Sequence, residues 1–225
     1  MSSKLTPLGI LFVDLSGYTA LTDIHGGHTA FKTIEVFQQI ASKSLTGEAM
    51  IKERIGDELL IISAKPLDLL VTILKISRMA EQTSKFLKIK AGMHYGKLLV
   101  KGGKLFGATI NLAARIIAIA KTDQILCSDD FLNSLPKSEK SLFKKLSNYK
   151  FKNIREPIAI FELQSRSNND DHDNTVDPVC KMILLPSNET ISQEHFGKRY
   201  YFCSPKCKRL FLQNPLSFIN TDTEG

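Results

Sequence analysis

No apolar run in this 225-residue chain approaches the roughly eighteen residues needed to cross a bilayer. The N-terminus also lacks the charged, apolar, small-residue order of a signal peptide. Both absences point to a soluble, cytoplasmic protein with no membrane partner. A basic block is missing too: the net charge is +7 and the pI about 9.2, yet the lysines are dispersed. That pattern fits a small anionic ligand at least as well as nucleic acid, and no nucleic-acid partner is expected. Cysteine is scarce, with four residues, and three of them, Cys180, Cys203 and Cys207, crowd into the last fifth of the chain. In a reducing compartment such clustering favours metal over disulfide. What is present is enough apolar material, 43% of residues, for one large domain or for a medium domain with a small one.

ILFVDLSGYT, Ile10 to Thr19, reads as an apolar strand running into Asp14 and a turn at Ser16 and Gly17. A carboxylate in such a run needs a reason, either a backbone partner or a bound cation. Apolar residues then recur at helical steps from Ala20 to Ser44, with a break expected at Gly26 and Gly27. His25 and His28, beside that break, read as solvent-exposed helix-end residues. Ile51–Ile55 and Leu59–Ile62 flank the turn dipeptide Gly56–Asp57 and predict a hairpin with Asp57 at its tip. Pro66 opens a helix to about Lys85.

Phe86 to Val100 reads as two strands meeting near Gly96, followed by a tight basic turn at KGGKL. Gly107 to Ala120 predicts a buried helix that puts Asn111 and Arg115 on one face. Arg115 there has two readings: a guanidinium reaching a surface carboxylate, or one held ready for an anion. QILCSDD gives a strand containing Cys127 as inert core, then a short helix, and a last hairpin closes around Asn153–Pro157. The fold class expected is α/β, an α+β sandwich with helices on one side of a mostly antiparallel sheet. Ser165 to Thr175, polar and acidic, reads as a flexible linker between residues 5–164 and 176–220.

FVDLSGYT, ERIGDELLI, FGATINLAAR and KNIREPIAIFEL stand in the order, and nearly at the spacing, of the class III adenylate/guanylate cyclase catalytic domain, which Pro7–Leu163 resembles. The resemblance implies a ferredoxin-like core. It also implies conversion of GTP or ATP to the 3′,5′-cyclic nucleotide and pyrophosphate. By motif position, Asp14 and Asp57 would bind two Mg²⁺ or Mn²⁺ ions, with the carbonyl of Leu15 an extra ligand at the substrate site. Asn111 would orient the ribose, Arg115 would stabilise charge on the α-phosphate, and Lys152 would contact the β- and γ-phosphates. Family sites form between subunits, so a head-to-tail homodimer is implied.

Two positions depart from the usual pattern. The purine-reading position four before Asp57 is Glu53, which accepts from guanine and taken alone favours GTP. The second purine-reading position is Lys104, on a hairpin shorter than usual; it either donates to guanine O6 or salt-bridges Glu53 and closes the pocket. The alternative function is therefore a catalytically inactive, cyclase-like nucleotide-binding or dimerisation module with a metal-sensing tail.

DPVCKM and YYFCSPKC resemble the YHS domain, a small metal-binding module of the TRASH type, over about Val176–Ile219. A Cys-rich ββα-type domain follows from this resemblance. Its three thiolates suit Zn²⁺ or Cu⁺, with His195 or a partner group as fourth ligand. The other reading is three cysteines packed in a reduced core without metal. Phe202, Phe211, Leu212, Phe218 and Ile219 are the expected core.

Overall fold

β1, Leu5–Leu15, is buried from Gly9 to Val13 and again at Leu15, and it carries Asp14 out of that buried run. The computed structural model describes residues 5–164, 176–185 and 191–219. Residues 5–14, 41–76 and 89–164 form one compact unit; residues 15–40, 77–88, 176–185 and 191–219 form a second. The expected linker at 165–175 and the end of the tail at 220 lie outside the described residues.

In the first unit, β2 (Met50–Ile55) and β3 (Glu58–Ser63) make the expected hairpin. Gly56 turns it with φ 61°, a conformation that favours glycine. β3 pairs antiparallel with β1, in a register from Gly9 opposite Ser63 to Asp14 opposite Glu58. β2 carries a bulge between Ile51 and Glu53, so Lys52 is the extra residue.

The chain continues through β4 (Ile89–Lys101), β5 (Lys104–Phe106), β6 (Ile125–Ser128), β7 (Phe143–Tyr149) and β8 (Ile158–Leu163). The sheet order is β2-β3-β1-β4-β6-β8-β7, with β5 beside β4. β4 and β6 are parallel, and the β4–β5, β6–β8 and β7–β8 pairs are antiparallel.

β4 corrects the expectation of two strands meeting at Gly96, because it runs unbroken through that glycine. A Cβ at Gly96 would come within 2.9 Å of Thr109 Oγ1. The residue is glycine because a helix lies over the strand there, and not because the chain turns.

The helices are α1 (Tyr18–Ser44), α2 (Pro66–Glu81) and α3 (Ala108–Ala118), with short α4 (Asp129–Ser134) and α5 (Lys137–Lys140). α1 breaks at Gly26, where φ is 80° and ψ 168°. α3 lies on the sheet through two apolar clusters. Ala113 and Ile117 join Ile10, Phe12, Leu60, Ile62 and Leu98; Leu112, Ile116 and Ala120 join Leu126, Phe151 and Ile160. Gly92 permits this approach, since a Cβ there would come within 2.4 Å of the Ile117 backbone nitrogen.

In the second unit, β9 (Ile191–His195) and β10 (Lys198–Phe202) form a hairpin, and α6 (Pro205–Gln213) and α7 (Leu216–Ile219) follow. Ser204 caps α6 by accepting from the Cys207 amide. Phe211 is fully buried against Tyr200, Phe202 and Phe218, as expected of a small ββα core. Leu212 is 48% exposed, a correction: it lies one position past Phe211, off the buried helix face. The stretch around Met182 pairs with residues 85–87: Lys85 donates to the Ile183 carbonyl, and the Ile183 amide donates to that of Phe86. No helix among the described residues is long and apolar enough to cross a membrane.

Candidate active site and metal centre

Sheet register delivers the first pair of expected residues. Asp14, at the end of β1, stands opposite Glu58, and Asp57 precedes Glu58 at the hairpin tip. Glu58 feels both aspartates. Burial first, then the charges of Asp14 and Asp57, push the Glu58 carboxyl above its ordinary range, and Lys90 pulls it back. Lys90, on β4, ion-pairs with Asp14 at 3.2 Å. Sequence reasoning passed over Lys90 because one lysine in an alternating strand carries no signal until β4 is known to lie beside β1. Such an edge of hard oxygen donors, already holding one ammonium, fits a divalent cation such as Mg²⁺ or Mn²⁺. Leu15 closes β1 with its side chain buried.

The second group comes from α3 and the loop before β8. Asn111 is exposed and Arg115 half-buried on α3, one turn apart. The Arg115 guanidinium donates to the backbone carbonyl of Lys152, whose own side chain is exposed. The structure thus brings Arg115 to the Lys152 backbone, and among the described residues Arg115 forms no ion pair with a carboxylate. From β1 to β8 is three strand steps, about 14 Å at ordinary strand spacing.

Glu53 and Lys104 are both exposed, and among the described residues they form no ion pair. The Lys52 ammonium instead comes within 4.0 Å of where a Gly103 Cβ would stand, beside the β4–β5 turn. The bulge at Lys52 is the cause, because it turns Lys52 and Glu53 out of simple alternation.

The cysteines of the second unit converge. Cys180 Sγ lies 3.4 Å from Cys203 Sγ, which lies 3.5 Å from Cys207 Sγ. His25 Nε2 lies 3.3 Å from Cys203 Sγ and 3.6 Å from Cys207 Sγ, and the four ligand atoms fall within 4.8 Å of one another. Sulfur-to-sulfur hydrogen bonds push the Cys180 thiol up and pull the Cys207 thiol down. Three soft sulfurs and an imidazole nitrogen are a donor set for Zn²⁺ or Cu⁺.

His195 is corrected here. Its ring packs on Phe196 and edge-on to Phe211, at centroid distances of 4.3 and 5.7 Å, and it does not join the cluster. His25 is corrected too, being half-buried and turned to the sulfurs, whereas His28 is exposed as expected. The one signal for His25 is the Gly26–Gly27 break beside it.

Asp177 also escapes sequence reasoning. It is fully buried, accepting from the amides of Val179 and Cys203 at 2.8 Å each and from Cys180 at 3.3 Å. It therefore fixes the backbone around two of the three cysteines. Cys127, in β6, is buried, and burial pushes its thiol far up, as suits an inert core residue.

The family model of the adenylate and guanylate cyclase catalytic domain matches residues 2–165, and that of the YHS domain matches 175–222. The chain is 22% identical over 162 residues to a pH-sensitive adenylate cyclase of Mycobacterium tuberculosis, covering 69% of this chain and 40% of that protein. It is 27% identical over 128 residues to an adenylate cyclase of Streptomyces griseus, covering 56% and 32%. The chain thus spans two-fifths or less of the length of these relatives. Its fold matches the crystal structure of the guanylyl cyclase Cya2 with a TM-score of 0.62 at 18% identity, covering 75% of this chain and 98% of that one. An adenylate cyclase structure from Trypanosoma brucei gives 0.64 at 16% identity, covering 70% and 89%. At these identities the structural likeness concerns the fold alone.

Proposed function

Because the chain belongs to the adenylate and guanylate cyclase catalytic domain family and carries a YHS domain after it, we propose that it cyclises GTP or ATP. The ribose 3′-oxygen attacks the α-phosphorus, the bond to the β-phosphate bridging oxygen breaks, pyrophosphate leaves, and the 3′-hydroxyl proton passes to solvent. The observation that carries this reading is the carboxylate edge, where the β1–β3 register sets Asp14 beside the hairpin that bears Asp57.

Divalent Mg²⁺ or Mn²⁺, two per site, supplies the polarisation of the α-phosphate and of the attacking hydroxyl. Asp14 and Asp57 are the residues that would hold it, with the Leu15 carbonyl beside them. Asn111 orients the ribose, and the Arg115 fork meets charge growing on the α-phosphate. The bond from Arg115 to the Lys152 carbonyl orders both residues together, with the Lys152 side chain left to meet the triphosphate tail. Glu53, Lys52 and Lys104 border the purine.

The carboxylates lie on the β1–β3 side of the sheet and Arg115 is anchored on the loop before β8, three strands away, which supports a head-to-tail homodimer in which each chain supplies Asn111 and Arg115 to the other's carboxylate edge. Residues 5–164 are the catalytic domain in this reading and 176–220 a module that holds a soft metal ion. Its thiols are free, which fits the reducing cytoplasm.

The test is product formation by the purified chain with Mn²⁺ and either GTP or ATP, beside Asp57→Ala. Cyclic product that disappears in the variant supports the reading, and the preferred nucleotide shows whether Glu53 or Lys52 governs the purine. Triphosphate binding without turnover, in protein shown to be dimeric, overturns it in favour of an inactive nucleotide-binding module.

A further inference from the structure

The geometry points to a four-ligand zinc site in which His25, from the first segment of α1, completes the three cysteines of the tail. The inference rests on the reading of the tail as a metal module and is independent of cyclase turnover. The family resemblance accounts for the cysteines, but His25 lies outside the residues matched to the YHS domain.

Shape argues first. A tetrahedral zinc with bonds of about 2.3 Å to sulfur and 2.0–2.1 Å to nitrogen has ligand-to-ligand edges of about 3.5–3.8 Å. The Cys180–Cys203, Cys203–Cys207, Cys203–His25 and Cys207–His25 edges run from 3.3 to 3.6 Å. Donors from three separate stretches of chain thus close to nearly the spacing that one ion requires. A closed tetrahedron of three cysteines and one histidine is one of the structural zinc donor sets.

The backbone around each donor is fixed independently. Asp177 gathers the amides of Cys180 and Cys203, and Ser204 caps the helix that carries Cys207. On the α1 side, the Lys206 ammonium donates to the carbonyl of Ile24, the residue before His25, and so ties the first turn of α6 to the end of the first α1 segment. Gly26 then breaks α1 directly after His25. His195, which lies eight positions before Cys203 in sequence, is held away on Phe196 and Phe211.

The site therefore staples the tail to the first segment of α1, whose opening residue, Tyr18, follows Asp14 by four positions in the chain. Zinc occupancy braces that segment.

The experiment uses the full chain, stripped of metal under reductant and titrated with Zn²⁺ against a chromophoric chelator, then with Co²⁺ for its absorption spectrum. One ion per chain is expected, with sulfur-to-cobalt charge transfer and intense tetrahedral bands. His25→Ala should weaken zinc by about 100-fold or more, since even outer-shell partners cost about 10–100-fold. His25→Cys should restore tight binding with a stronger charge-transfer band, and His195→Ala should change neither. Unchanged zinc affinity and cobalt spectrum in His25→Ala, or loss of affinity in His195→Ala, overturns the assignment of His25. Failure of the unaltered chain to bind zinc overturns the site altogether and leaves the cyclase measurement standing by itself.

Discussion

Lys90 Nζ and Asp14 Oδ2 meet at 3.2 Å on neighbouring strands, so the carboxylate proposed to hold a divalent ion already holds a protein cation. Metal and ammonium then compete for one charge. Lys90→Gln should tighten Mn²⁺ binding in the absence of nucleotide, by up to about fivefold, the ~1 kcal/mol ceiling of a partly exposed pair. Electron paramagnetic resonance of free Mn²⁺ reads this directly. Unchanged or weaker binding would mean that the ammonium does not compete with the metal.

Asp57 and Arg115 belong to opposite halves of the proposed shared site, which makes a mixing experiment decisive. Asp57→Ala and Arg115→Ala should each be inactive alone, the latter by about 10²–10³-fold in kcat. Mixed in equal amounts, they should recover roughly a quarter of wild-type activity, because random pairing gives half heterodimers with one intact site each. Arg115→Lys should not rescue, since it loses the planar fork that both the Lys152 carbonyl and a phosphate require. No recovery on mixing would place both halves of the site within one chain.

Much of the candidate active site could be read from residues alone, because its signals are local. Gly56–Asp57 between two β-branched runs is a hairpin by turn chemistry, and Asn111 and Arg115 share a face by helical period. What escaped was set by distant neighbours. Gly96 looks like a turn until Thr109 is seen above it. Lys90 gains meaning only from strand order. His25 is separated from Cys180 by more than 150 positions, and the nearer His195 answers spacing equally well. Leu212 follows two apolar helix positions yet falls on the solvent face. Spacing reports the local period of a chain; it does not report which elements meet.

His94 gives the fold a pH dependence. It is 5% exposed on β4, and its Nδ1 lies 2.7 Å from Ser128 Oγ, while that oxygen accepts from the Phe131 amide. Burial lowers its pKa, and the nearby charges of Asp130 and Asp129 oppose this. The unfolded chain binds its proton near the ordinary value, about 6.5, whereas the folded chain resists it. Stability from this group is therefore fully present above about pH 6.5 and is lost as pH falls through the window down to the lowered folded value. His94→Gln should flatten the decline of the urea midpoint between about pH 7.5 and 5.5. A decline equally steep in the variant would assign it to the carboxylates instead.

Asp177 links the two cysteine-bearing stretches of the tail through its buried carboxylate. Its carboxylate takes three amides, those of Val179, Cys180 and Cys203, and its own amide donates to the Met182 carbonyl at 2.9 Å. Burial pushes its carboxyl up and the amide donors pull it back. Asp177→Ala leaves those donors in a nearly dry site at about 1–3 kcal/mol each, a large loss for so small a core. Faster amide exchange at Val179 and Cys203 should follow, together with zinc binding weaker by about 10–100-fold. Asp177→Asn should fall between the two, because it keeps one acceptor oxygen and turns the other into a donor facing an N–H. Wild-type exchange and zinc affinity in Asp177→Ala would show that the cysteines hold their positions without it, and that the metal alone organises the tail.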